Sequence, residues 1–286
     1  MSHVTLLTTG GTIASSRDEN GVSRPGAIQL DLDAEVTVRE LMSKDSSSLD
    51  FADMDRIADA VFESLEDSDC AGVVVLHGTD TMEESALLVD LFHDDERPVV
   101  FTGAQRTADH PEPDGPGNVA AAMDAALDPA NRNRGVLVAF GGEVLPARGL
   151  CKWHTSELVA FGSAAEPRRV VPRVCIADIR VDIVALYPGA DATAIDAFVA
   201  AGTQGIVLQA LGSGNTNASI VEAVRVCTGA AIPVVVTTRV PVGAIEPTYG
   251  GGGGGADLVD AGAMFSPQMR AGQARIELAV QIASRA

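Results

Sequence analysis

Three runs in this chain are apolar almost without a break: GVVVL (Gly72–Leu76), GVLVAF (Gly135–Phe140) and GIVLQA (Gly205–Ala210). A strand with one wet face alternates apolar and polar residues. An unbroken run needs cover on both faces, as in a parallel sheet sandwiched by helices. Shorter runs of the same kind lie at Val4–Thr8, Pro98–Thr102, Asp182–Leu186 and Pro233–Thr237. Amphipathic stretches fall between them, at Phe51–Leu65, Glu83–Phe92, Asn118–Leu127, Ala192–Ala201 and Ser219–Cys227. The alternation predicts an α/β fold with a largely parallel sheet. In such folds ligands sit beyond the carboxyl ends of the strands.

The stretch Gly162–Asp178 breaks this rhythm with Pro167, Pro172 and several arginines. It reads as a connection. The expected layout is a larger N-terminal α/β domain at 1–165, a linker at 166–180 and a smaller C-terminal α/β domain at 181–286. The run YGGGGGG, Tyr249–Gly255, is too short to join whole domains. It reads as a flexible loop, since no side chain restrains it.

Charge narrows the partners. With 20 basic and 39 acidic residues the formal net charge is −19, which argues against nucleic acid and anionic membranes. No apolar stretch reaches the ~18 residues of a membrane span, and a strand-like run already begins at Val4, where a signal peptide would lie. The four cysteines, at 70, 151, 175 and 227, are too scattered for a metal knuckle and read as reduced thiols. The expected location is the cytoplasm.

Small and hydroxyl residues gather where strands end. TTGGTIAS (Thr8–Ser15) follows the first strand, HGTDTMEESA (His77–Ala86) the second strong one, and GAQR (Gly103–Arg106) the third. The first of these lacks the spacing of a phosphate loop. A tight turn and a loop presenting Thr12 as nucleophile remain open. A nucleophilic alcohol needs a base. His77, His110 and His154 have no acidic orienter fixed beside them, and each reads as a surface or hydrogen-bonded residue. The chain has two lysines, Lys44 and Lys152, among its 20 basic residues. Where charge alone is wanted, this sequence uses arginine, which cannot release its proton; a desolvated lysine can. Lys152 is therefore a base candidate, whereas Lys44, in the polar run SKDSSS, reads as solvated. Met54 and Met82 read as core.

Taken together, these blocks resemble the bacterial-type L-asparaginases, the asparaginase/glutaminase family of amidohydrolases. The blocks are TTGGTIAS, HGTDTMEESA, GAQR, DGPGN (Asp114–Asn118), ARGLCK (ending at Lys152), GSGNTN (Gly212–Asn217) and TTRVPVG (Thr237–Gly243). The resemblance covers nearly the whole chain. It implies Thr12 as the nucleophile that forms an acyl-enzyme. It implies Thr79, Asp80 and Lys152 as a second catalytic group, with Lys152 accepting a proton through Thr79. Substrate contacts follow in the same way: Asp80 for the α-ammonium, Ser46 and its neighbour Ser47 for the α-carboxylate, Gly11 and Ala104 lining the site, and Asn217 reaching in from a neighbouring subunit. An oxyanion hole from the amides of Gly11, Thr12 and Thr79 fits the chemistry. No metal or organic cofactor is implied. The expected substrate is L-asparagine, with L-glutamine as the alternative, and the expected assembly is a dimer or tetramer. Two rivals use the same scaffold: the amide-hydrolysing subunit of a tRNA-dependent amidotransferase and a non-catalytic amino-acid sensor. There are two departures. Val22 stands where the family places a loop tyrosine, and in IEPTYGGGGGG (Ile245–Gly255) no glutamate aligns with the family's ammonium-binding one, although Glu246 and Tyr249 lie close.

Overall fold

The structure, a computed structural model, describes residues 2–10, 15–17, 23–25, 35–164 and 167–285. It divides into two compact units. The first holds the chain up to Ser163 together with Pro167–Arg173, and the second runs from Val174 onward.

The first unit is built on a six-stranded sheet. Its strands are β1 (His3–Thr8), β4 (Val36–Glu40), β5 (Cys70–Leu76), β6 (Val99–Thr102), β7 (Val136–Phe140) and β8 (Glu143–Pro146), in the order β4-β1-β5-β6-β7-β8. All pairs are parallel except the β7–β8 hairpin at one edge. Successive residues of β5 alternate between two cores. Val73 and Val75 pack with Ile57, Val61, Met82 and Val89 of helices α1 (Phe51–Leu65) and α2 (Met82–Phe92). Val74 and Leu76 pack on the opposite face with Val119, Ala122 and Met123 of α3 (Gly115–Leu127). Both faces are covered, which is why the run is apolar throughout. Met54 and Met82 are buried in this unit, as expected of core residues.

Short antiparallel pairs complete the unit. β2 (Ser15–Arg17) pairs with β3 (Ser23–Pro25), and β9 (Leu150–Lys152) pairs with β10 (Phe161–Ser163). The stretch after residue 166 is fastened to this unit. Val171 N–H donates to the Leu91 carbonyl at 2.8 Å, Arg168 Nε pairs with Asp90 at 3.1 Å, and Arg173 pairs with Asp59.

The second unit has a parallel sheet, β11 (Val181–Ala185), β12 (Gly205–Ala210), β13 (Val234–Thr238) and β14 (Met264–Phe265), in that order. Helices α4 (Thr193–Ala200), α5 (Ala218–Gly229) and α6 (Gly255–Asp260) contribute Ile195, Ile220, Val224 and Leu258 to its core. Helix α7 (Ala271–Ala283) packs against β11, β12 and β13.

Several elements have no clear signature in the sequence. Helix α7 buries Gln273 and Ala274 along with Ile276, Leu278, Ala279 and Val280, so no single apolar stripe marks it. Strand β4 is an edge strand with four exposed residues; its pairing with β1 makes it a strand. The glycine run also differs from expectation. The amides of Gly252 and Gly254 donate to the Asp257 carboxylate at 2.9 and 2.8 Å, and Thr216 N–H reaches the Gly253 carbonyl at 2.7 Å. A side chain does restrain the run, from the helix that follows it. The hydrogen bonds to these amides hold the Asp257 carboxyl below its ordinary range.

Lys44 is a second correction. Its ammonium is not simply solvated: it binds both carboxylate oxygens of Asp53, at 2.8 and 2.7 Å. Asp53 is buried and also closes a capping box with Asp50 at the start of α1. Replacing Asp53 by alanine removes the reciprocal cap and leaves Lys44 without its partner. The expected loss is about 1–3 kcal/mol, from the usual worth of a cap and of a charged hydrogen bond. It would appear as a lower urea midpoint, and an unchanged midpoint would contradict this account of α1.

Candidate active site

The parallel register delivers three strand ends to one edge. Thr8 stands beside Leu76, and Leu76 beside Thr102. Pairing runs one residue further, with Thr9 N–H donating to the Leu76 carbonyl at 3.1 Å and His77 N–H to the Thr102 carbonyl at 2.8 Å. The turn at Gly10 has φ +103°, and a β-carbon there would lie 2.6 Å from the Lys44 carbonyl oxygen. Only glycine fits this turn. The loops after β1, β5 and β6 therefore emerge side by side.

At that edge Lys152 Nζ lies 2.7 Å from Thr79 Oγ1 and 3.1 Å from Asp80 Oδ1. Thr79 is buried, the Lys152 side chain is 18% exposed and the Asp80 side chain 61% exposed. The set runs from a shielded hydroxyl to an accessible carboxylate. Ser46, also buried, accepts from Asp80 N–H through Oγ at 3.2 Å and from Thr81 Oγ1 through its carbonyl at 2.9 Å. Gly78 lets this happen: a β-carbon on it would stand 2.5 Å from Ser46 Oγ. Residues from three distant parts of the sequence, Ser46, Thr79–Asp80 and Lys152, thus meet.

Lys152 is held from both sides. Its strand β9 pairs with β10, Lys152 opposite Phe161. Its N–H donates to Glu83 Oε2 at 2.6 Å. Glu83 keeps some exposure as a residue, but protein surrounds its carboxyl group. That burial pushes the carboxyl from 4.5 up to about 7, against the Lys152 N–H and ammonium, which pull it down. His77 is fully buried, and its Nδ1 donates to the Gly78 carbonyl at 2.7 Å. Burial lowers it to about 4, so it stays neutral near pH 7. His110 and His154 each accept backbone N–H groups through Nδ1. All three histidines are hydrogen-bonded, as the sequence suggested.

The other expected residues are placed differently. Thr12, Gly11 and Val22 lie outside the described residues. Ser47 is exposed beside Ser46. Ala104 sits just past β6 with its methyl group in the core beside Val100 and Val119, so only its main chain is left to face a ligand. Asn217 belongs to the second unit and caps α5: its Oδ1 accepts from Ser219 and Ile220 N–H, and its Nδ2 donates to the Ala190 carbonyl at 2.8 Å. One amide hydrogen remains for anything else.

Three contributors carry no signal from residue type alone. Glu83 is one. The others are Asp114 and Asn118, in the DGPGN block. The Asp114 carboxylate accepts from the Gln105 and Arg106 amides at 3.0 and 2.9 Å. Asn118 bridges the Gly103 carbonyl at 3.0 Å and the Gly141 amide at 3.1 Å. They fix the loop after β6. Among the described residues, no group of three or more His, Cys, Asp or Glu side chains is placed to hold a metal ion, and no helix is long and apolar enough to cross a membrane.

Comparison with known families decides the kinship. Residues 3–179 match the family described as "Asparaginase, N-terminal", and residues 180–285 match "Glutaminase/Asparaginase C-terminal domain". The chain belongs to the asparaginase family. Among its relatives, an L-asparaginase of Bacillus licheniformis is 31% identical, covering 98% of this chain and 95% of the relative. A probable L-asparaginase of Deinococcus radiodurans is 35% identical, covering 98% and 92%. The solved structure of a probable cytoplasmic L-asparaginase from Campylobacter jejuni superposes with a TM-score of 0.84 at 25% identity, over 99% of this chain and 95% of that one. The asparaginase family reaches further: a glutamyl-tRNA(Gln) amidotransferase component from Methanococcus maripaludis is 27% identical over 84% of this chain and 66% of the relative.

Glu83 gives this site a pH signature. Its folded value, about 7, lies above the ordinary 4.5. A raised carboxyl favours the folded state while it is protonated, so that contribution is present below about pH 4.5 and is lost as pH rises through about 7. Glu83→Gln keeps an acceptor oxygen for the Lys152 amide and cannot ionise. The drop in urea midpoint from pH 5 to pH 8 should be smaller in Glu83→Gln than in the wild type. An equal drop in both proteins would mean that Glu83 does not titrate in this range.

Proposed function

We propose that this asparaginase-family enzyme hydrolyses L-asparagine to L-aspartate and ammonia through a threonyl acyl-enzyme. The observation that carries the reading is the contact of Lys152 Nζ with Thr79 Oγ1 and Asp80 Oδ1 at 2.7 and 3.1 Å. A largely shielded lysine bonded directly to both a buried hydroxyl and an accessible carboxylate is placed to exchange a proton with that hydroxyl.

The steps follow. Thr12 Oγ attacks the side-chain amide carbon of asparagine, and its proton passes toward the leaving nitrogen. Backbone N–H groups at Gly11, Thr12 and Thr79 receive the developing oxyanion, one such donor being worth roughly 10²–10³ in rate. Ammonia leaves and a β-aspartyl ester remains on Thr12. Water then attacks the ester carbonyl. Lys152 takes the proton of Thr79 as Thr79 takes one from the attacking water, and the same relay returns a proton to Thr12 Oγ as the ester opens to aspartate and free Thr12. Asp80 receives the substrate's α-ammonium, Ser46 with Ser47 its α-carboxylate, and Ala104 lines the site through its main chain.

Asn217 is assigned to the site of a neighbouring subunit, which requires a dimer or tetramer. Residues 1–165 form the catalytic domain in this reading, 166–180 the linker and 181–286 the domain that completes a neighbour's site. Four free cysteines suit a reducing compartment, and the similar Campylobacter protein is titled cytoplasmic; both support a cytoplasmic location. A broader enzyme that also accepts L-glutamine is the second reading, favoured by the glutaminase/asparaginase description of the C-terminal match.

Ammonia release from L-asparagine and L-glutamine tests these assignments. Thr12→Ala should abolish release while asparagine still binds. Lys152→Arg should lose about 10²–10⁴ in kcat, the usual worth of a general base, although the positive charge is kept. Near-normal turnover in Lys152→Arg would remove the lysine from the mechanism. Glutamine turnover equal to that of asparagine would replace the first substrate reading with the second.

A further inference from the structure

We infer that Glu83 is a positioning residue for the reaction, its carboxylate mounting the main chain of Lys152 on the same helix that begins beside Thr79. The inference rests on the reading of Lys152 and Thr79 as a proton-transfer pair. Its evidence is separate and lies in how that pair is held.

Helix α2 begins at Met82 with Thr81 as its N-cap, so Thr79 and Asp80 immediately precede its first turn. Thr81 Oγ1 and the Asp80 amide are tied to Ser46. Lys152 arrives from a distant strand. Its Nζ hangs on a long flexible stem, and placing it 2.7 Å from Thr79 Oγ1 requires the main chain at Lys152 to be fixed first. Glu83, in the first turn of α2, accepts the Lys152 N–H at 2.6 Å.

A second anchor lies on the same helix. Two turns beyond Glu83, on the same face, Asp90 forms an ion pair with Arg148, Nε to Oδ2 at 3.5 Å, with both side chains buried. Asp90 Oδ1 also accepts from the Val136 amide at 3.1 Å. Arg148 opens the turn that leads into β9. The helix therefore grips the segment from Arg148 to Lys152 at both ends. It carries one member of the reacting pair at its start and clamps the strand bearing the other. Thermal motion of the helix moves Thr79 and Lys152 together, so their separation is conserved.

A displacement of about 1 Å at a reacting group can cost 10²-fold in rate. Glu83→Ala should therefore lower kcat for L-asparagine about 10²-fold and leave KM within about threefold, because Ser46 and Asp80 keep their places. Glu83→Gln, which retains an acceptor for the Lys152 amide, should recover most of the kcat. A second readout is independent of turnover. The chain has two lysines, so protein labelled with ¹⁵N-lysine gives two lysine backbone amide peaks, and Lys44→Arg identifies which is Lys152. In the wild type the Lys152 amide should resonate downfield and exchange slowly. Glu83→Ala should move it upfield and speed its exchange, while Glu83→Gln shifts it less. An unmoved Lys152 peak in Glu83→Ala, or a wild-type kcat in that variant, overturns the positioning role. Equal loss of kcat in the alanine and glutamine variants overturns it too, by showing that charge rather than attachment matters. Failure of the functional reading would show elsewhere, as retained turnover in Lys152→Arg.

Discussion

The site depends on the backbone register of the parallel sheet. Parallel strands must all end at the same edge, so the residues that follow β1, β5 and β6 are neighbours whatever their identity. Two hydrogen bonds beyond the strands, Thr9 to Leu76 and His77 to Thr102, carry that alignment into the loops. Side-chain chemistry is added to an arrangement that main-chain pairing has already set. The cost of this architecture is a sheet covered on both faces, and the unbroken apolar runs at Gly72–Leu76 and Val136–Phe140 meet it.

Polar groups within this frame act through one another. Ser46 illustrates the point. Its hydroxyl and carbonyl both serve the stretch Asp80–Thr81, and the approach is open only because Gly78 has no side chain. Asp114 and Asn118 do the same for the loop after β6. Each is a buried or half-buried polar group whose hydrogen bonds go mainly to main-chain atoms, with Asn118 Nδ2 also donating to the Asp114 carboxylate at 3.1 Å. Such networks fix the course of a loop that little apolar packing holds.

Much of this was legible in the sequence. The seven apolar runs correspond to β1, β5, β6, β7, β11, β12 and β13, and the five amphipathic stretches to α1–α5. The fold brings together Ser46, Thr79, Asp80 and Lys152, four residues that the resemblance names for catalysis or substrate binding. What escaped had a physical reason in each case. Helix α7 packs against β11, β12 and β13 with alanines and Gln273 among its buried residues, so it draws no apolar stripe. Strand β4, VTVRE, is short and mostly exposed, so it draws no apolar run. Lys44 sits in a polar run and looked free, but Asp53 is one helical turn into the next element, where sequence shows proximity along the chain and not direction. Glu83 enters the sequence reading only as the first residue of an amphipathic stretch; only the fold reveals that a strand ends against it.

The glycine run of the second unit has a kinetic consequence. Six successive glycines have no side chains to pack, and folding costs them more conformational freedom than any other residues. Their order rests on amides bound to Asp257, which stands inside α6. The same carboxylate serves the Gly254 amide at the cap of that helix. Loop and helix therefore share this fastening, beside the separate bond from Thr216 N–H to the Gly253 carbonyl. Release of the glycines from Asp257 would therefore also remove the cap of α6, which couples the opening of the loop to that of the helix end.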